Sequence, residues 1–461
     1  MKKGVVKDIR MKRFLEHLAM SMVLTCTLLQ VAPAEEKAFE LFDVVDNGIA
    51  DPVVPEIAPW RTITLDPEYG GQWVVAGDVD GDGAVEIVSA ENFNEVDTHY
   101  TSAVAVQRLD GTVVWRWGTP SIGRKHWHHD VACQIVDWDG DGKNEVVVSD
   151  ETAIVELDGA TGAEKRRIPI EKGAADCLVF CDLSGKGRPT DVLAKDRYEN
   201  IWAYNYAGEL LWHVNRPGGY RTAHQPRPMD IDGDGRDELM AGFAMLNHDG
   251  TVRWVFESKE TDLSQGHLDC ARVLNASDTL DDVRIALTCC GANNIAVVDG
   301  RGKAIWEYAG HHFESIQLAD IVPEHPGLEI LADIDHRPRG EGPLWVFGGD
   351  GARLGQVMTP YGRHHRVVDW TGDGFAEFLN GDNQALYTGT GKRIGTFLIP
   401  GSQVGVERPF EMSILTGDCD GDGRQDVLLI TLDAVYLYRN ENGALPEVPV
   451  AAGTGLNVTL Y

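Results

Sequence analysis

The 461-residue chain is short of basic charge: 41 lysines and arginines stand against 72 aspartates and glutamates, a formal net charge of −31. With no basic stripe to displace counterions from a phosphate backbone, the composition argues against nucleic-acid binding. Long apolar runs are also missing. The most apolar stretch, Leu18 to Val31, is too short to span a bilayer. Cysteine is scarce: beyond Cys26 there are seven, Cys133, Cys177, Cys181, Cys270, Cys289, Cys290 and Cys419. An odd count without CxxC or zinc-type spacing excludes a complete disulfide framework and reads as buried small hydrophobes. Sustained 3.6-residue periodicity, a Gly-x-Ser-x-Gly elbow, a phosphate loop and a dinucleotide fingerprint are all absent, so βα, hydrolase-fold, kinase and Rossmann readings have no support.

The N-terminus has the form of an export signal. Lys2, Lys3, Arg10, Lys12 and Arg13 precede the apolar stretch, and Val31-Ala32-Pro33-Ala34 offers small residues for cleavage before Glu35. Residues 1–34 are therefore expected to be a signal peptide and the mature protein to be secreted or periplasmic, without a membrane anchor. Met11 would serve equally as a start.

Internal repetition dominates the rest. Four segments share Asp-x-Asp-Gly-Asp-Gly-x-x-acid: Asp78-Asp80-Asp82-Glu86, Asp137-Asp139-Asp141-Glu145, Asp230-Asp232-Asp234-Glu238 and Asp418-Asp420-Asp422-Asp426. Degenerate copies start at Asp182 (Ser184, Lys186, Asp191), Asp320 (ending Glu329) and Asp369 (Asp373, Glu377). An eighth unit, near Leu274 to Asp282, is found only by its flanks. First aspartates at 137, 182 and 230, and at 320, 369 and 418, lie 45 to 49 residues apart, and the first gap, from 78 to 137, holds an insertion.

Each unit reads as four short strands. One enters the acidic loop (Gln134-Ile135-Val136) and a β-branched one leaves it (Glu145-Val146-Val147-Val148). A third meets a Gly turn, and a fourth often ends in tryptophan (Trp115, Trp212, Trp254, Trp306). Four-stranded units repeated at this period predict an all-β chain forming a single β-propeller of about eight, alternatively seven, blades. Residues 60–461 are assigned to the propeller and 35–59 to an N-terminal extension. Trp60 to Leu65 or Leu456 to Tyr461 would close the ring.

Carboxylates at positions 1, 3, 5 and 9 of a loop, with glycines at 4 and 6, can converge on a cation, and calcium is the expected ion, held structurally at several sites. An EF-hand is excluded, since its bidentate Glu would fall on Ser89, Val148, Ala241 or Leu429 and its flanks would be helices. Lys186 would replace the cation in the third unit.

In such a ring, residues six to eight places before each first aspartate line the mouth opposite the acidic loops. His129, His267 and His312 stand eight places back, with Tyr361 and Thr222. Six places back are Gln72, Asp176, His224, Asp269, Glu314 and Arg363. His128, His311, His364 and His365 lie beside them, so eight of the fifteen histidines converge from five units. Loops after the second strands add Asp196-Arg197-Tyr198, Asp335-His336-Arg337 and Gly381-Asp382-Asn383, and Tyr220 and Arg221 flank the fourth unit. Three places before the first aspartate stand Gln134, Arg227, Arg272, Gln317 and Arg366, read as structural hydrogen-bonding groups around a wet axial channel.

Histidines near neutrality serve as general acid or base, and arginines clamp carboxylates. With tyrosine they suit β-elimination from a uronic acid. A cation neutralises the C5 carboxylate, a base takes the C5 proton, and an acid protonates the departing O4. The base is expected among His129, His224, His267 and His312, with Tyr220 as a candidate acid and Arg221 and Arg337 as carboxylate clamps. His128, His311, Arg363, His364 and His365 are further candidate substrate-binding residues.

The Asp-x-Asp-Gly-Asp-Gly units, with flanks such as Ala76-Gly77-Asp78 and Glu86-Ile87-Val88, resemble FG-GAP/VCBS-type calcium repeats. Their arrangement over nearly the whole mature chain resembles the propeller polysaccharide lyases, among them rhamnogalacturonan, ulvan and rhamnose–glucuronate lyases. The resemblance implies a seven- or eight-bladed ring, structural calcium and a histidine/arginine/tyrosine site at the channel mouth; the expected partner is an acidic polysaccharide substrate and the expected state a monomer. Two other readings stand beside it: a non-catalytic carbohydrate- or protein-binding propeller, and a redox or hydrolytic propeller with a metal on its rim. The tryptophan-docking pattern of quinoprotein propellers is not visible in the sequence.

Overall fold

Glu145–Ser149, Glu238–Gly242 and Asp426–Ile430 are buried at every position, as the second strand of a sheet packed on both faces must be. Outer strands such as Leu210–Asn215 alternate between exposed and half-buried residues instead. The computed structural model describes residues 38–443 and 445, apart from 49–52, 96–97, 121, 124–132, 339–340, 402–411 and 444. The proposed signal region and Leu456 to Tyr461 lie outside the described residues. Two short 3-10 turns, Pro217–Gly219 and Leu263–Gln265, are the only helical elements among those described, and no helix is long and apolar enough to cross a membrane.

The strands form eight sheets of four antiparallel strands in sequence order, which settles the blade count at eight rather than seven. The first strands are Trp73–Gly77, Cys133–Val136, Cys177–Cys181, Thr222–Met229, His267–Asn275, Phe313–Ala319, His365–Val368 and Ser413–Gly417, in blades 1 to 8. First strands of neighbouring blades lie side by side around the axis. The weakly marked fifth unit is a complete blade, with Arg284–Cys290 paired on both edges.

Ring closure uses the N-terminal option. Arg61–Thr64 is the fourth strand of blade 8, antiparallel to Ala434–Tyr438 with Ile63 opposite Val435. The preceding extension also joins the ring: Phe42–Val45 runs parallel to the outer strand of blade 6 and Glu56–Ile57 parallel to that of blade 7. Eight apolar clusters fill the gaps between neighbouring blades. The one between blades 8 and 1 contains Ile63, Val74, Ile87, Leu415 and Leu428. The seven cysteines among the described residues are buried and free.

Tryptophan docking, unseen in the sequence, is present. Trp115, Trp212, Trp254 and Trp306 each donate their indole N–H to a backbone carbonyl of the next blade, Gly159, His248, Gly300 and Gly349, at 2.6–3.0 Å. A Cβ on Gly302 would stand 2.4 Å from the Trp254 ring, so only glycine fits under it. The pattern escaped notice because the indole and its glycine belong to different units.

Candidate functional site

The acidic loops form alike. Asp78 accepts the Gly81 and Gly83 amides at 2.7 and 3.0 Å, Asp82 accepts Ala84, and Glu86 accepts Val79 at 3.1 Å. The first aspartate makes the same two bonds in the loops at Asp137, Asp230, Asp369 and Asp418. Gly81 and Gly83 hold φ of 79° and 87°, which a side chain would strain. Ligand oxygens of Asp78, Asp80 and Glu86, and of Asp137, Asp139 and Glu145, lie within 4.8 Å of one another. Burial, reinforced by the aspartates beside it, pushes the Glu86 carboxyl up to about 7; Glu238 is likewise pushed to about 7, and Asp426 to about 6. Clustered carboxylates that resist ionisation are the setting a divalent cation relieves.

The chain also supplies cations there. Arg108 reaches Asp80 at 2.8 Å, Lys165 reaches Asp139 and Glu145 at 2.6 and 2.8 Å, Arg253 reaches Asp232 and Glu238 at 2.8 and 3.0 Å, and Arg439 reaches Asp420 at 2.6 Å. Lys186 does not fill its own loop as expected. Its side chain is exposed, and the loop uses its backbone amide, bonded to Asp182 at 2.7 Å. In blade 6 an imidazole sits there instead, His325 Nδ1 being 2.9 Å from Glu329.

At the opposite mouth the side chains differ from blade to blade. His224 and His267 meet edge to face with ring centroids 4.5 Å apart, and their Nε2 atoms lie 3.5 and 2.9 Å from Asp269 Oδ1. The Tyr198 ring covers both, at 5.5 and 4.9 Å, with the Arg197 and Arg221 guanidinium groups each 5.1 Å from its centroid. His312 lies 3.0 Å from Cys290 Sγ and 3.1 Å from Glu314, and its ring packs 4.1 Å from His336. Arg363 bridges Asp335 at 3.1 Å and Glu314 at 3.6 Å.

Asp269 and Glu314, from adjacent blades, act on each other and have opposite proton affinities. Burial, then the neighbouring Glu314 charge, holds the Asp269 carboxyl well above the usual range. Burial opposes ionisation of Glu314 too, but Arg363 and His312 outweigh it and keep it ionised. Two carboxyls with separated protonation states are the arrangement that acid–base chemistry uses.

The other expected residues are placed as follows. His128 and His129 lie outside the described residues. Tyr220 packs edge-on against Phe243, in the core between blades 4 and 5. His311 joins the aromatic cluster of Tyr308, Phe313 and Trp345. Arg337 is exposed, 3.8 Å from Glu341. His364 is buried, 3.3 Å from Asp382. His365 is buried as well, donates to the Arg363 carbonyl and is driven down to about 3 by burial and by Arg366.

Two participants were not read from the sequence. The long hairpin of blade 1, Glu86–Glu95 with Thr98–Arg108, carries His99 to Asp176 of blade 3, which also receives Lys195 Nζ at 2.8 Å. The signals were present: the insertion in the first gap, and a lysine ending the fully buried strand Asp191–Lys195.

The residues can do two things. His224, His267 and Asp269 present two nitrogens and an oxygen within 4.8 Å, a donor set suited to a borderline divalent metal. Without a metal, the same imidazoles and the protonated Asp269 form a proton-transfer relay roofed by a tyrosine and two arginines.

No family model matches the chain. It is 25% identical to the rhamnogalacturonan endolyase YesW of Bacillus subtilis, over 85% of this chain and 73% of that protein. It is 26% identical to the rhamnogalacturonan exolyase YesX of the same organism, over 76% and 66%. Among solved structures, the Bacillus licheniformis rhamnogalacturonan lyase PL11 superposes with a TM-score of 0.61 at 19% identity, covering 88% of this chain and 81% of that one. The resemblance to propeller polysaccharide lyases is thus borne out, and the sequence similarity supports a polysaccharide lyase.

Proposed function

We propose that this chain is an exported, monomeric lyase that cleaves a uronate-containing pectic glycan of the rhamnogalacturonan class by β-elimination at the channel mouth, on a ring stapled by calcium in its acidic loops. The observation that carries the reading is the pairing of His224 and His267 over a protonated Asp269, beneath Tyr198 and two arginines. Arg221 and Arg197 neutralise the uronate carboxylate, which acidifies C5. A neutral imidazole of the His224–His267 pair removes the C5 proton. The electron pair of that C–H bond becomes the C4–C5 double bond as the C4–O4 bond breaks, and Tyr198 returns a proton to O4.

The donor set gives a second reading of the same residues. A divalent cation on His224, His267 and Asp269 would take over charge neutralisation, leaving His312 as base.

The test is the ultraviolet absorbance of unsaturated product with calcium-loaded protein on rhamnogalacturonan, ulvan, pectate and glycosaminoglycans. A rise on rhamnogalacturonan that is lost in His267→Ala and Tyr198→Phe establishes the reading. Flat traces on every glycan, with retention on one of them, would replace it with a binding propeller.

A further inference from the structure

Deeper in the channel lies a layer that neither the acidic loops nor the mouth uses. Three places before the first loop position, the inner strands of blades 1 to 8 carry Val75, Gln134, Val179, Arg227, Arg272, Gln317, Arg366 and Leu415. This register holds three arginines, two glutamines and no acid. Blades 4, 5 and 7 supply the arginines, so they face one another around one side of the axis. Arg366 is 5% exposed, and Arg227 and Arg272 are half-buried.

Burial first, then Arg272, brings Arg227 down to about 9, with Arg366 also bearing on it; burial and then Arg272 bring Arg366 down to about 10. Blade 5 lies between blades 4 and 7 in ring order, which places Arg272 between the other two. Arg272 and Arg366 each turn one N–H back onto the preceding residue's carbonyl, Ala271 and His365, both at 2.9 Å. Those bonds fix each guanidinium plane against its own strand. A guanidinium does not surrender its proton in a protein. Three of them drawn into one low-dielectric channel are answered by an anion, and planar forks with amide donors beside them match the two-oxygen edge of an oxyanion.

We propose that Arg227, Arg272 and Arg366, with Gln134 and Gln317 in the same layer, form an axial oxyanion site, distinct from the mouth chemistry, that takes sulfate, phosphate or a carboxylate of similar size. The mouth residues His224, His267 and Asp269 stand three to five positions earlier on the inner strands that carry Arg227 and Arg272, so the site lies further into the channel. The bound anion ties three blades together and stabilises the ring.

Sulfate is the first probe, because phosphate would precipitate with the calcium the protein is expected to hold. Thermal unfolding of the full chain is followed in sodium sulfate, in sodium galacturonate and in sodium chloride at matched ionic strength. Sulfate is expected to raise the melting temperature saturably beyond chloride, as a ligand of the native state must. In Arg272→Gln the apparent affinity should fall about ten-fold or more, the scale of one charge-assisted bond. Should Arg272→Gln not fold, equilibrium dialysis of labelled sulfate against the unaltered protein replaces it, with one ion bound per chain expected. Stabilisation by galacturonate but not by sulfate would support the same site, with a uronate carboxylate as the anion, when Arg272→Gln weakens it; galacturonate stabilisation unchanged in Arg272→Gln belongs to the mouth and would overturn the proposal. No advantage of either over chloride, an equal effect in Arg272→Gln, or no bound sulfate on dialysis would overturn it.

Discussion

The two ends of the ring are built on opposite plans. At the acidic-loop end, nine consecutive residues supply everything a loop needs, and the same bonds recur at Asp78, Asp137, Asp230 and Asp418. At the mouth no set of partners repeats. Equivalent strand starts carry Asp176, His224, Asp269, Glu314 and Arg363, each meeting a partner from another blade. Repetition makes a scaffold, because each blade poses the same folding problem. Divergence at equivalent positions makes a site, because the ring turns residues some 50 apart in sequence into neighbours.

That contrast can be broken by mutation. His267→Ala is expected to lower kcat/KM by about 10²–10⁴-fold, the range of general acid–base catalysis, with little change in melting temperature. Asp139→Ala should do the reverse, lowering the melting temperature and leaving the kinetics of folded protein intact. If loop variants altered kinetics directly, the two ends would not be separate.

Chelation comes next in size. A cation bound only by folded loops contributes about 2.7 kcal/mol per site at roughly one hundred times its Kd, so excess chelator should lower the melting temperature and leave the mouth geometry unchanged. An unchanged melting curve would remove calcium from the account.

The pH dependence sharpens this. Glu86 and Glu238 titrate near 7 in the fold, above the ordinary glutamate range. Between those limits the folded chain binds more protons than the unfolded one, so in chelator stability should fall as pH rises from about 4.5 through 7. Added calcium should flatten that decline; melts across pH, with and without calcium, decide it.

The smallest effect is expected from Lys165→Met. Removing an ammonium held by Asp139 and Glu145 should tighten calcium in that loop a few-fold, read by calcium titration.

Much of this was legible beforehand for local reasons. The acidic loops need only their own nine residues, so their spacing gave away the strands on both sides and, by repetition, the propeller. The rim histidines were placed by register alone, which told position along a strand but not the direction of a side chain. Hence His311 and His312, adjacent in sequence, part company: one packs against Trp345, the other against Glu314. Tyr198 rather than Tyr220 covers the imidazole pair because the loop after the second strand of blade 3 leans over blade 4.

By itself, then, the sequence determined the repeat, the all-β class, the acidic turns and the end of the ring on which polar residues collect. All of these depend on contacts within one unit of fewer than 50 residues. Tertiary structure alone decided that there are eight blades rather than seven, that Arg61–Thr64 closes the ring, and that Trp254 docks over Gly302. It also decided that Asp269 keeps its proton while Glu314 loses one. Each depends on which residues of different blades share a few ångströms of low-dielectric space, and a linear pattern carries no measure of that distance.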